Sequence, residues 1–225
     1  MTLQCRTIDI NLITDKYVIF PYKIENDQAI LYSEKELSKL FPLGYSYLLE
    51  CMNILKNREK GKLINDALWY RYIYPKSLSL FCKEKLVAPY TSLKSQFSYD
   101  AYGEFYATTK IYGYIKKDNI LSSYKSLMAI LNSSVMWFFM KNTGYVLRGG
   151  YYTYTTNYVK PFPMPSDEAI IAKEPILIPL VDKVLLAKKN NPQADTSAEE
   201  REIDNIVFDL YGLTEEERNE IIKES

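Results

Sequence analysis

Pro165 divides the chain into two kinds of sequence, and that division does most to limit the fold. Beyond it, Ile176, Leu177, Leu180, Val181, Val184 and Leu185 form one helical stripe, with Pro175 suited to its first turn. A polar linker, Asn190 to Thr196, comes next. Ser197 and Glu200 then make a capping-box pattern ahead of the stripe Ile203, Ile206, Val207, Leu210 and Tyr211, which Gly212 stops. Thr214 and Glu217 open a last short helix carrying Ile221 and Ile222. Before Pro165 the apolar residues fall mostly in short runs rich in Tyr, Thr and Ile, punctuated by Gly and Pro, which suit a pleated, half-buried surface. The expected class is α+β: strands and a long helix, followed by supporting helices at the C-terminus.

Within the first part, Tyr17–Tyr22 reads as a short strand stopped by Pro21, with Ile30–Tyr32 as its partner across a polar turn. Ser33 and Glu36 form a capping box for a helix to Leu40, and Pro42 breaks it. Leu48, Leu49, Met52 and Leu55 recur at helical spacing over Tyr45–Arg58, before a basic turn of Arg58, Lys60, Gly61 and Lys62. Both halves of Trp69–Pro89 look strand-like, Phe97–Gly103 has turn chemistry, and Phe105–Ile115 is another β-type run. Leu121, Tyr124, Leu127, Met128, Leu131, Val135 and Phe138 define one long amphipathic helix ending near Gly144, its Met and aromatic stripe reading as core.

The formal charge is zero but unevenly spread: residues 16–160 carry a net +9, residues 161–225 a net −8, and residues 1–15 a net −1. Of 21 tyrosines, 20 lie in 16–160. A basic, tyrosine-rich body before an acidic helical tail points to a polyanion-facing region and a protein-facing one; uneven surface solvation is the plain alternative. No apolar run reaches the roughly 18 residues of a membrane span, and the N-terminus lacks the apolar core of a secretory signal. Cys5, Cys51 and Cys82 are odd in number and far apart. They fit a reducing cytoplasm, as small buried hydrophobes.

Chemistry is limited by the lack of any histidine, which removes Ser-His and Cys-His nucleophilic pairs and imidazole metal sites. No Asp or Glu stands two residues before a lysine, as a common nuclease motif requires. There is no P-loop, no GxGxxG and no Asn/Asp-Pro-Pro-aromatic run for methylating base amino groups. The acidic clusters Glu199–Glu200–Glu202 and Glu215–Glu216–Glu217 sit at helix N-termini, where they favour the macrodipole. No catalytic and no metal-ligating residues are expected.

Recognition remains. In Gly144–Pro165 a helix end is followed by Arg148, Gly149 and Gly150, a Tyr/Thr run and a proline-punctuated exit, an arrangement able to present Arg148 to a flat anionic polymer. An ordinary hairpin with half-buried tyrosines is the competing reading. Arg and Lys read guanine, Asn and Gln read adenine, and Lys, Arg and Tyr hold phosphates. The candidates are Arg71, Lys76, Lys83, Lys85, Lys94, Gln96, Arg148, Tyr152, Asn157 and Lys160.

An ordered series of weak motifs accompanies them: Tyr17–Tyr22, Leu48–Leu49 with Leu55 and Arg58, Trp69, Lys85–Leu86–Val87 with Pro89, and Phe97-x-x-Asp100-x-x-Gly103. Leu131–Asn132–Ser133, Arg148–Gly149–Gly150, the Pro161–Pro165 exit and the ending from Ile203 to Glu217 complete it. In this order the chain resembles the TaqI-like C-terminal specificity domain of adenine-specific DNA methyltransferases, especially fused type II restriction–modification enzymes. The resemblance implies a target-recognition body at 1–165, a helical support at 166–225, and double-stranded DNA as partner. It also implies a separate methyltransferase domain or subunit, with or without a nuclease, and no membrane. S-adenosylmethionine would belong to that parent enzyme, with magnesium left open. Individual base-contacting residues do not carry over. A protein-docking specificity subunit of a type I-like complex, with little DNA affinity alone, is the second reading. A carbohydrate-binding module, suggested only by the tyrosines, is disfavoured by the charge segregation.

Overall fold

In the structure, a computed structural model, residues 4–7, 17–106 and 110–224 are described, the first four as backbone alone. The chain folds as two compact units. The first contains residues 4–7, 17–83 and 102–106; the second contains 84–101 and 110–224.

In the first unit, β1 (Gln4–Thr7) pairs antiparallel with β2 (Tyr17–Ile19) and parallel with β8 (Phe105–Tyr106). Pro21 does interrupt the YVIFPY run, and Ile30–Tyr32 meets only its end: Leu31 lies opposite Tyr22 and Tyr32 N–H donates to Pro21 O at 3.0 Å, while Ile30 pairs beyond the run with Lys23, in the hairpin of β3 (Tyr22–Glu25) and β4 (Gln28–Leu31). Asn26 and Asp27 both take positive φ at its turn, the conformation that matches a tight hairpin's twist.

Helix α1 (Glu34–Leu40) starts on the expected box: Glu36 N–H donates to Ser33 Oγ, and Ser33 N–H donates to the Glu36 carboxylate at 2.8 Å. Those Ser33 bonds, with help from Lys23, hold the Glu36 carboxyl down to about 2. A depressed carboxylate stabilises the fold fully above its unfolded value, and the contribution disappears as pH falls from about 4.5 through about 2. Titration of Glu36 by carboxyl NMR is expected to show that low midpoint; a midpoint near 4.5 would mean the box does not form.

The expected helix over Tyr45–Arg58 is two, α2 (Pro42–Glu50, with Pro42 in its first turn) and α3 (Met52–Lys56), followed by an irregular turn, α4 (Arg58–Gly61), in which Glu59 and Lys60 have positive φ. The first half of Trp69–Pro89 is not a strand. The Arg58 guanidinium takes the carbonyls of Leu55, Trp69 and Arg71 at 2.9–3.1 Å, so that backbone is satisfied by a side chain rather than by a ladder. Trp69 and Tyr70 are buried with Leu37 and Leu48, while Phe20, Tyr22, Leu78 and Tyr106 form a second small core. Cys51 is half-buried and Cys82 exposed, against the expectation of burial; Cys5 lies outside the residues whose side chains are described. Cys82 Sγ instead lies 2.9 Å from Tyr106 Oη.

The second unit is built on β5 (Lys85–Pro89), buried along its whole length between β7 (Ser98–Asp100) and β9 (Ile111–Tyr114). Phe97–Gly103 is therefore part strand, turning only at its end, where Gly103 has φ +63°. The Phe105–Ile115 run is divided between β8 and β9, with residues 107–109 outside the described set.

The long helix expected to end near Gly144 is two helices, α5 (Tyr124–Asn132) and α6 (Ser134–Thr143). Ser133 takes extended backbone between them and caps α6, while the Asn132 amide bonds both the N–H and the carbonyl of Phe97. Leu121, counted in that stripe, is exposed and lies before the helix.

Strand β10 (Tyr152–Thr153) is only two residues long, and α7 (Thr156–Val159) replaces the rest of the Tyr/Thr run. Helix α8 (Asp167–Asn190) begins at the Ser166 cap, so Pro175 lies inside it with Pro179 rather than at its start. Helix α9 (Ser197–Tyr211) has Thr196, not Ser197, at its N-cap position, and Gly212 ends it at φ +64°. Helix α10 (Glu215–Glu224) opens on reciprocal Thr214–Glu217 bonds, as expected.

Ile170, Leu177, Leu180, Val181, Ile203, Val207 and Ile221 share one core with Leu86, Phe97, Met136 and Tyr154. The change of composition at Pro165 is thus not a division of the core: the C-terminal helices complete the second unit. Among the described residues no helix is long and apolar enough to cross a membrane.

Candidate nucleic-acid interface

Tyr154 anchors the site. It is fully buried, its N–H donates to Tyr90 O at 2.8 Å, and its carbonyl accepts from the Tyr114 hydroxyl at 2.8 Å. Burial pushes its own hydroxyl up to about 12, keeping it neutral. Just ahead of this anchor, β10 pairs antiparallel with β6 (Thr91–Ser92), Tyr152 opposite Ser92 and Thr153 opposite Thr91. The other side of β10 pairs with Val146 through an isolated bridge, reinforced by Leu147 N–H to Tyr151 O at 2.7 Å and Thr153 N–H to Tyr145 O at 3.1 Å. The result is a narrow hairpin over 145–153. Its turn holds Arg148 beside Gly149 and Gly150, whose φ values of +87° and +79° are why glycines stand there.

Tyr152 lies edge-on to Trp137 of α6, with ring centroids 5.0 Å apart at 79°. Trp137 in turn lines a cleft of about 470 Å³ with Lys94, Gln96, Asn132, Lys188 and Asp204. Asp204 is raised above the ordinary carboxylate range by burial, against two bonds from Ser134 that pull it down. It accepts from Ser134 N–H at 2.8 Å and Ser134 Oγ at 2.6 Å, so it ties α9 to the start of α6. Tyr145 stacks on Tyr158 at the base of the hairpin, which sets α7 beside it.

The ten sequence candidates are therefore placed unequally. Lys94 and Gln96 line the Trp137 cleft, Tyr152 packs on Trp137, and Arg148 stands exposed at the turn of the hairpin that carries Tyr152. Asn157 and Lys160 are exposed on and just after α7. Arg71, Lys76 and Lys83 belong to the first unit. There, Arg71 grips Asp66 at 2.8 and 3.0 Å, Lys83 pairs with Asp27 at 2.8 Å, and Lys76 is exposed.

Lys85 corrects the sequence reading. It pairs with Asp100 inside the unit, each side chain only 2% exposed, so it holds β5 to β7 and presents nothing to a ligand. Sequence reasoning also missed Trp137, absorbed into a helical stripe, and Ser92. A tryptophan among residues counted as core was the available signal for the first; nothing local marks the second.

Exposed cations at a hairpin tip and a loop, an exposed amide, and a strand tyrosine packed on a helix tryptophan are suited to phosphate contact and base-edge readout. The sequence profile of the TaqI-like C-terminal specificity domain matches residues 12–164 of the chain, more than half its length. The chain belongs to the TaqI-like C-terminal specificity domain family. The matched segment ends at Met164, so the specificity-domain match takes in the hairpin and α7 and stops just before α8. A similar protein is the Type II methyltransferase M.PaeR7I of Pseudomonas aeruginosa, 28% identical over 179 residues. That alignment covers 80% of this chain and 28% of the relative, so the matched part spans less than a third of the relative's length.

Proposed function

We propose that this specificity domain selects the DNA sequence at which a restriction–modification methyltransferase acts on adenine N6. Methyl transfer and S-adenosylmethionine would lie in a methyltransferase portion corresponding to the relative's remaining length, as would magnesium and cleavage in a parent that also cuts. Residues 1–165 are the recognition body and 166–225 its helical support, acting in the cytoplasm. The observation that carries the reading is the family match over a segment that exposes Arg148 at its hairpin turn and Lys94 with Gln96 at the Trp137 cleft.

The basic groups supply salt-dependent affinity and the base-facing side chains supply selectivity. Duplex binding is expected at low salt and should weaken steeply on raising it. Arg148→Ala is expected to lower affinity about 3- to 10-fold and to reduce the salt slope by about one, since one phosphate contact is lost. Fluorescence anisotropy over a salt series measures both. Parent and variant binding alike at matched salt would remove the hairpin tip from the interface. Binding seen only when a methyltransferase portion is added would favour the docking-subunit reading, for which the net −8 of residues 161–225 is the supporting feature.

A further inference from the structure

We propose that Gln96 is a specificity-determining residue for adenine in the major groove, and that Ser92 is the positioning residue that fixes which end of its amide faces the base. This rests on the DNA-reading function proposed above and names the base contact within it.

Ser92 is only 4% exposed and ends β6, opposite Tyr152 in the two-residue β6–β10 ladder. Its hydroxyl donates to Gln96 Oε1 at 2.8 Å. Residues directly opposite in an antiparallel pair put their side chains on the same face, so Ser92 and Tyr152 share one face. Tyr152 rests on Trp137, and Trp137 lines the same cleft as Gln96. The loop carrying Gln96 is short, running from Ser92 to the buried Phe97, whose backbone is clamped at both ends by Asn132. Gln96 itself is exposed. Its amide is therefore held at one oxygen lone pair by a buried donor, leaving the other lone pair and the N–H2 group facing outward.

That remaining pair, one acceptor beside one donor, complements adenine, which offers the N6 amino donor beside the N7 acceptor. Guanine offers two acceptors, O6 and N7. An unrestrained glutamine could turn its amino group toward guanine. A glutamine whose oxygen is held by Ser92 sets that oxygen against O6 instead, so the clamp converts a tolerant side chain into one that separates adenine from guanine. Ser92 is too buried to touch the DNA and acts only through Gln96.

The test begins with the duplex sequence that the parent chain enriches from a random library. Competition with duplexes changed one base at a time then gives a discrimination profile for each variant. Gln96→Ala is expected to reduce adenine-over-guanine discrimination at one position by about 10-fold. Ser92→Ala should relax the same position about 3-fold or more, and Ser92→Thr, which keeps the hydroxyl, should restore it. Gln96 is exposed, so its variant is expected to fold, which circular dichroism checks. A parent that shows sequence preference while Gln96→Ala keeps the full profile overturns the inference and leaves the function standing. A Gln96 effect without a Ser92→Ala effect overturns the positioning role. A parent that binds no duplex removes both the function and the inference.

Discussion

Lys85→Ala is expected to destabilise the second unit by about 3–5 kcal/mol, because it breaks a buried ion pair by removing the cation that faces the Asp100 carboxylate. The two residues face each other across β5 and β7, and each side chain is only 2% exposed. The pair itself adds little over a well-packed apolar substitute, since desolvating two charges offsets most of their attraction; breaking it is what costs. The double variant Lys85→Met with Asp100→Leu should accordingly recover most of the loss. The two tryptophans make this measurable, because Trp69 lies in the first unit and Trp137 in the second. Urea unfolding followed by Trp137 fluorescence in a Trp69→Phe background reports the second unit. A Lys85→Ala cost under about 1 kcal/mol would mean that water or the other groups around Asp100 satisfy its carboxylate without Lys85. Weaker DNA binding by this variant would follow from unfolding, unlike the Arg148 effect.

The second large effect is expected in the first unit. Gly103 has φ +63°, and a Cβ there would lie 2.1 Å from the Cys82 carbonyl oxygen and 2.3 Å from its carbon. Neither atom is the mobile end of a side chain, so Gly103→Ala has to move backbone. The left-handed conformation costs roughly 1–2 kcal/mol for a residue with a Cβ, and relieving the overlap roughly 1–3 more. A total loss of about 2–5 kcal/mol is expected, read from Trp69 in a Trp137→Phe background. Gly150→Ala is the contrast: its φ is +79° but a Cβ would meet nothing within 4 Å, so only the conformational cost applies. Equal losses at the two sites would mean that close approach is not what fixes glycine at 103.

These two residues show how the sequence motifs relate to the fold. Phe97, Asp100 and Gly103 stand at three-residue spacing, yet each is there for its own reason: a core ring, a buried counter-charge, and passage beside the Cys82 carbonyl. Features whose partners are near in sequence were legible. The capping boxes at Ser33 and Thr214 and the glycine stop at Gly212 formed as read, because each is satisfied within a few residues.

Features decided at long range were not legible. Arg58 reaches 11 and 13 residues ahead to take carbonyls that a strand would have used. The Asn132 amide reaches back 35 residues to Phe97, and with the Ser133 cap it breaks what periodicity presented as one helix. Lys85 looked like a surface cation because nothing adjacent shows that Asp100 will be folded opposite it. At the candidate interface, Arg148 and its glycine turn were visible locally. The grouping of Gln96 with Ser92, Trp137 and Tyr152 depends on strand and helix packing that no short window contains.

Selection of duplexes from a random library by the purified chain, at low salt and with sequencing of the bound fraction, tests the central claim most directly. The account expects one short sequence to be enriched, its preference surviving competition with unrelated duplex. A folded chain that retains duplexes without enriching any sequence, or retains none, would contradict it.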